Sequence, residues 1–164
     1  MYTKFGQFID GKWQAAEKNE TYEVINPATE EIIGNASKAS KIDVEKALKS
    51  AEKGLAKWKK TPPWERSYKI RKIADLMREK KDVLAKWLTL EVGKPIAEGI
   101  GETVSAADIF EWNSEETKRI YGQTVESRFE NTRIHVYYQP VGVVAALVPW
   151  NFPLVLAARK ISTA

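Results

Sequence analysis

The chain of 164 residues is 43% hydrophobic and 29% charged, ordinary globular material sufficient for one domain and without an apolar run near the roughly 18 residues that span a bilayer. It has no cysteine, which excludes disulfides, thiolate metal sites and thiol nucleophiles from these residues and fits a reducing compartment. The net charge of +4 is concentrated in lysines such as Lys46, Lys49, Lys53 and Lys57 on one helical face. That pattern reads as a solvated surface, and no RNA-stacking, zinc-finger or helix-turn-helix motif makes nucleic acid an expected partner.

The start, MYTKFGQFIDGKW, lacks a basic-then-apolar secretory pattern, so the cytoplasm is the expected location and no membrane partner is foreseen. Within it, Asp10 and Gly11 separate two short apolar ends and predict a two-residue hairpin. A second hairpin is expected from Thr21–Ile25 and residues 31–36, turning at Asn26 and Pro27. The period then becomes helical. Val44, Ala47, Leu48, Ala51, Leu55 and Trp58 form one stripe, and Ser40 with Asp43 resembles a capping box.

Pro62 and Pro63 break the chain and open a second helix carrying Ile70, Ile73, Ala74 and Met77 inward. Asp82 is the expected cap of a third helix, with Leu84, Trp87 and Leu88 inward. After the interruption at Gly93, Lys94 and Pro95, a long helix should run over 97–121 through Ile100, Val104, Ala107 and Phe110, stopping at Gly122.

Residues 124–138 return to period two, with Ile134, Val136 and Tyr138 on one face and Arg133, His135 and Tyr137 on the other, and Asn131 in the turn. Such a ribbon is barely stable alone and needs its edge paired or covered. Residues 142–148, GVVAALV, read as a strand buried on both faces, followed by a helix over 152–164. Strand, tight turn and helix form the first unit of a doubly wound α/β sheet. The division expected is 1–122 for hairpins and helices, 123–141 for an assembly hairpin, and 142–164 for an incomplete Rossmann-like sheet. Such a strand needs parallel neighbours that these residues do not supply, so the sequence is expected to be the amino-terminal part of a longer protein.

FIDGKW at 8–13, INPATEEIIG at 25–34, LTLEVGKPIAE at 88–98, EWNSEETKRIYG at 111–122 and, above all, QPVGVVAALVPWNFPLVLAARK at 139–160 resemble the amino-terminal third of the aldehyde dehydrogenase superfamily. PWNFP in this context is the most specific of these signatures. LTLEVGKPIAE and EETKRIYG most resemble the succinate-semialdehyde dehydrogenase branch. The resemblance implies oxidation of an aldehyde to a carboxylic acid with NAD or NADP, through a thioester on a cysteine that lies downstream in the family, as does its glutamate base. It therefore also implies that residues 1–164 alone are inactive.

Asn151 admits two readings. An asparagine before a helix is among the best N-caps. The resemblance instead places its carboxamide beside the oxygen that becomes negative when a thiolate adds to an aldehyde, and a donor in such a place is typically worth about 3–4 kcal/mol. Trp150 reads alone as core filler. The resemblance puts Val148, Pro149, Trp150 and Asn151 along the cofactor cleft, without a GxGxxG turn.

Arg159, eight residues after Asn151, projects within about 80° of it on a helix. It reads either as a surface arginine or, by resemblance, as the clamp for a substrate's distal carboxylate. Lys160 is assigned to solvent. His135 stands without a second ligand, and Glu115 and Glu116 read as a wet helix surface, so no metal site is expected. By resemblance residues 124–138 join subunits into a homodimer or homotetramer. The alternative function is a non-enzymatic assembly module built on the same hairpin.

Overall fold

The computed structural model describes residues 6–164. The first five residues, on which the reading of the leader partly rests, lie outside that range. The fold is mixed α/β, and its described strands form three separate two-stranded antiparallel ribbons.

The first ribbon pairs β1 (Gln7–Ile9) with β2 (Lys12–Gln14), placing Phe8 opposite Trp13. Its turn has φ 55° at Asp10 and 76° at Gly11, the two positive values of a type I′ turn. The second pairs β3 (Thr21–Ile25) with β4 (Ile32–Ser37), and β4 begins one residue later than expected. The Glu31 carbonyl is taken by the turn, accepting from the Asn26 N–H at 2.9 Å, while Asn26 Oδ1 accepts from the Ala28 N–H at 2.9 Å. Asn26 thus uses backbone and side chain together to bend the chain before Pro27.

Helix α1 (Lys41–Trp58) starts at the foreseen box: the Asp43 N–H donates to Ser40 Oγ at 3.3 Å and the Ser40 N–H to Asp43 Oδ2 at 2.8 Å. Asp43 also accepts from the Glu17 N–H at 3.1 Å, tying the helix to the chain leaving the first ribbon. Its apolar stripe keeps the expected helical spacing but is largely uncovered. Val44 is 50% and Leu48 44% exposed, because among the described residues the helix meets little beyond β1. Periodicity tells which side is apolar, not what covers it.

Helix α2 (Pro63–Glu79) opens with Pro63 in its first turn and buries Ala74, with Ile70 and Met77 partly buried against the core and Ile73 exposed. Helix α3 (Lys81–Val92) corrects the capping assignment, since Asp82 lies inside the first turn. Lys80 is both the C-cap of α2 and the N-cap of α3, so no loop remains in which an aspartate could act. Leu88 and Ala85 are buried, Leu84 and Trp87 half-buried.

Gly93 ends α3 at φ 78°, a left-handed cap suited to glycine. Helix α4 (Ile96–Glu116) follows and tightens into a 3-10 turn at Thr117–Arg119, short of the expected end at 121. Its buried face is Gly99, Glu102, Thr103, Ala106, Ala107, Phe110 and Ser114, whereas Ile100 and Val104 are half-buried. Small residues face inward because α4 is the central helix, touching α2, α3 and α5 (Pro153–Ile161). The core gathers Ala74, Ala106, Ala107, Phe110 and Ala158.

The third ribbon pairs β5 (Gln123–Glu126) with β6 (Arg133–Val136), aligning Val125 with Ile134, and Asn131 takes φ 56° in the turn. Every residue of both strands is exposed. His135 Nδ1 lies 3.1 Å from Thr124 Oγ1 across the ribbon.

Residues 142–148 do not form the expected strand. A strand exists through its ladder, and no described segment lies alongside to supply one; Leu147 is 84% exposed as a result. The expected helix at 152–164 is α5, shorter at both ends, with Phe152 as its cap. No described helix is long and apolar enough to cross a membrane.

Candidate active site

The chain enters α5 through a turn at Trp150 and Asn151. A helix start leaves backbone N–H groups without intrahelical acceptors. Here the first intrahelical bond is from the Leu156 N–H to the Phe152 carbonyl at 3.0 Å. Pro153 has no N–H to satisfy. The next two amides, Leu154 and Val155, donate to Glu102 Oε1 at 2.9 and 3.3 Å. A carboxylate on α4 thus caps α5 across the core, where the macrodipole favours negative charge.

Asn151 is therefore not the cap. Phe152 occupies that position with no side-chain cap bond. The Asn151 side chain is exposed and has no hydrogen-bond partner among the described residues, so its carboxamide is chemically available. Its backbone is held instead: the carbonyl accepts from Lys94 Nζ at 3.1 Å. Lys94 also forms an ion pair with Glu102, and its ammonium lies 4.2 Å from the centre of the Phe152 ring. The two charged side chains are 8% and 1% exposed, the degree of burial at which a charge is retained only when paired.

Local sequence explains how Lys94 reaches this position. The left-handed residue Gly93 turns the chain out of α3, and Pro95 favours an extended residue before it and starts α4. A Cβ on Gly93 would sit 2.8 Å from Pro27 Cγ, so the turn also packs against the second ribbon.

A groove of 810 Å³ runs between α4 and α5, lined by residues including Glu98, Glu102, Ser105, Asp108, Phe152 and Arg159. Arg159 is exposed there and has no ion-pair partner among the described residues. Asp108, across the groove, is paired with Arg78 at 2.6 Å. The structure thus brings Arg159 together with Phe152 and Glu102; Asn151 adjoins the groove through its neighbour Phe152 without lining it. Trp150 is 77% exposed and fills no core, Pro149 is exposed and Val148 half-buried.

Glu115 is paired with Lys118 at 2.6 Å, which holds its carboxyl below the usual glutamate value. Lys160 is exposed.

Sequence reasoning missed Lys94 and Glu102. A signal was present: Glu102 lies on the same helical face as Gly99, Thr103 and Ala106, small residues that mark close packing, where an acid is unaccountable unless buried and paired.

Residues 13–164 match the aldehyde dehydrogenase family. Over 153 residues the chain is 44% identical to a glutarate-semialdehyde dehydrogenase of Pseudomonas aeruginosa, covering 93% of this chain and 32% of that protein. It superposes on a succinate-semialdehyde dehydrogenase of Burkholderia pseudomallei with a TM-score of 0.92 at 40% identity, covering 99% of this chain and 33% of that one. A betaine aldehyde dehydrogenase of Staphylococcus aureus in complex with NAD+ gives a TM-score of 0.92 at 30% identity, over 98% of this chain and 33% of that one. The chain spans about a third of the length of these relatives. A match over nearly all of its length, in sequence and in backbone alike, makes this chain a member of the aldehyde dehydrogenase family.

Proposed function

We propose that these residues are the amino-terminal part of an enzyme oxidising a carboxylate-bearing semialdehyde to the corresponding dicarboxylate with NAD or NADP. The observation carrying this reading is the free carboxamide of Asn151, held by its backbone in a turn whose helix amides are already occupied by Glu102. When a thiolate adds to the aldehyde carbon, the carbonyl oxygen becomes an alkoxide, and the Asn151 Nδ2–H donates to it. A donor fixed beforehand pays no reorganisation at that moment. The thiolate must come from outside these residues, which contain no cysteine.

Val148, Pro149, Trp150 and Asn151 fit one wall of a nicotinamide site: an exposed indole and an apolar edge beside an amide donor. The dinucleotide, when bound, supplies the hydride acceptor. Arg159, without an ion-pair partner among the described residues, presents in the groove a guanidinium fork suited to the distal carboxylate of the substrate. The glutarate- and succinate-semialdehyde dehydrogenases among the relatives support a substrate of this class.

The ribbon at 124–138, exposed on both faces, is the assembly surface, joining copies into a homodimer or homotetramer. The three units proposed are 1–122, 123–141 and 142–164.

The test is the rate of NAD(P)H formation by the full-length enzyme with succinate or glutarate semialdehyde. Asn151→Ala should lower kcat about 100- to 1,000-fold, and residues 1–164 alone should give no turnover. An Asn151→Ala enzyme with undiminished kcat overturns the assignment.

A further inference from the structure

Lys94 and Glu102 form the most deeply buried ion pair among the described residues. Burying two charges is expensive, and a well-packed apolar pair is often as stable or more so, so stability alone is a poor account of them. Their remaining contacts all converge on one short segment. Glu102 Oε1 holds the amides of Leu154 and Val155, Lys94 Nζ holds the carbonyl of Asn151, and the ammonium faces the Phe152 ring. The bonds reach across 52 to 57 residues of chain.

We propose that the Lys94–Glu102 pair is the positioning element for the Asn151 carboxamide, an inference that rests on the role proposed above for Asn151. Two effects combine. Asparagine is among the strongest helix caps, and free amides at the start of α5 would draw its Oδ1 inward; Glu102 occupies those amides and releases the side chain. Lys94 fixes the Asn151 peptide through its carbonyl and so sets the direction of the Cα–Cβ bond. Neither residue touches the reacting atoms. Both act through Asn151.

The test is a double-mutant cycle in the full-length enzyme, with Glu102→Ala, Glu102→Gln and Lys94→Met each made alone and together with Asn151→Ala. In the Asn151 background Glu102→Ala and Lys94→Met should lower kcat about 10- to 100-fold, the cost of misplacing a catalytic group. In the Asn151→Ala background the same changes should lower kcat no further than about twofold. Amide exchange at Leu154 and Val155, which have no intrahelical acceptor, should accelerate in Glu102→Ala.

Glu102→Gln keeps one acceptor oxygen for those amides and removes the charge facing Lys94, and it carries the comparison if Glu102→Ala fails to fold. Equal loss of kcat in both backgrounds, or faster exchange with kcat intact, overturns the positioning role while leaving the proposed function standing. A wild-type enzyme that oxidises no semialdehyde overturns both.

Discussion

Gly99 on α4 offers the sharpest stability test, because Gly101 on the same helix is its control. A Cβ built on Gly99 would lie 2.9 Å from the Ala85 carbonyl oxygen, 3.2 Å from its Cα and 3.3 Å from its Cβ. Carbon contacts settle near 3.5–4.0 Å, so α3 and α4 would have to part, because the obstructing atoms are backbone and an alanine Cβ, which no rotamer can move. A Cβ on Gly101 meets nothing within 4 Å.

Both Gly→Ala changes gain about 1 kcal/mol of helix propensity. Only Gly99→Ala incurs the overpacking cost of about 1–3 kcal/mol. Gly101→Ala should therefore stabilise, Gly99→Ala should be neutral to destabilising, and the gap between them should be about 1–3 kcal/mol. Urea unfolding of wild type and both variants, compared by midpoint at unchanged slope, measures the gap. Variants equal to within about 0.5 kcal/mol would refute the close approach of α3 and α4. Gly99 lies one turn before Glu102, so parting these helices also displaces the carboxylate that caps α5.

Replacing Arg159 by methionine should raise the KM for succinate or glutarate semialdehyde about 10- to 100-fold, the loss of a charged hydrogen bond, and leave that for a neutral aldehyde of similar length unchanged in steady-state assays. The Asp43 carboxyl is held below its usual value chiefly by the Ser40 N–H, then by the Ser40 hydroxyl and the Glu17 N–H, against an opposing effect of burial. A carboxylate depressed on folding adds stability that is complete above about pH 4 and drains away as the pH falls through its folded value. The stability difference between wild type and Asp43→Asn should accordingly shrink on acidification, and a difference that grows would contradict the box. Ile134→Glu, on the exposed ribbon, should leave the secondary structure by circular dichroism unchanged and shift the full-length enzyme to a smaller species in sedimentation; an unchanged oligomer would move assembly elsewhere.

Much of the local structure was legible because its causes lie within a few residues. Positive φ at Asp10 and Gly11, the Ser40 and Asp43 box, the entry of Pro63 into α2 and the left-handed Gly93 each follow from side-chain type and immediate neighbours. The PWNFP stretch carried the resemblance on which the proposed role of Asn151 rests. What failed depended on distant neighbours. The stripe of α1 is covered only in part, residues 142–148 have no ladder among the described residues, and Asp82 lost its capping place to the single-residue joint at Lys80.

Whether Asn151 caps a helix was also decided by tertiary structure. Its own sequence context makes it a good cap, but Phe152 holds that position and Glu102 from α4 accepts from the first free amides of α5. Caps, turns and periodicity determined the elements, since each is set by short-range sterics and hydrogen bonds, while the family was carried by the motif residues at 88–98 and 139–160. Packing of α4 against α3 and α5 decided that Lys94, Glu102 and the turn at Asn151 meet, because a buried charge is satisfied by whatever group the fold brings to it, however far away in the chain.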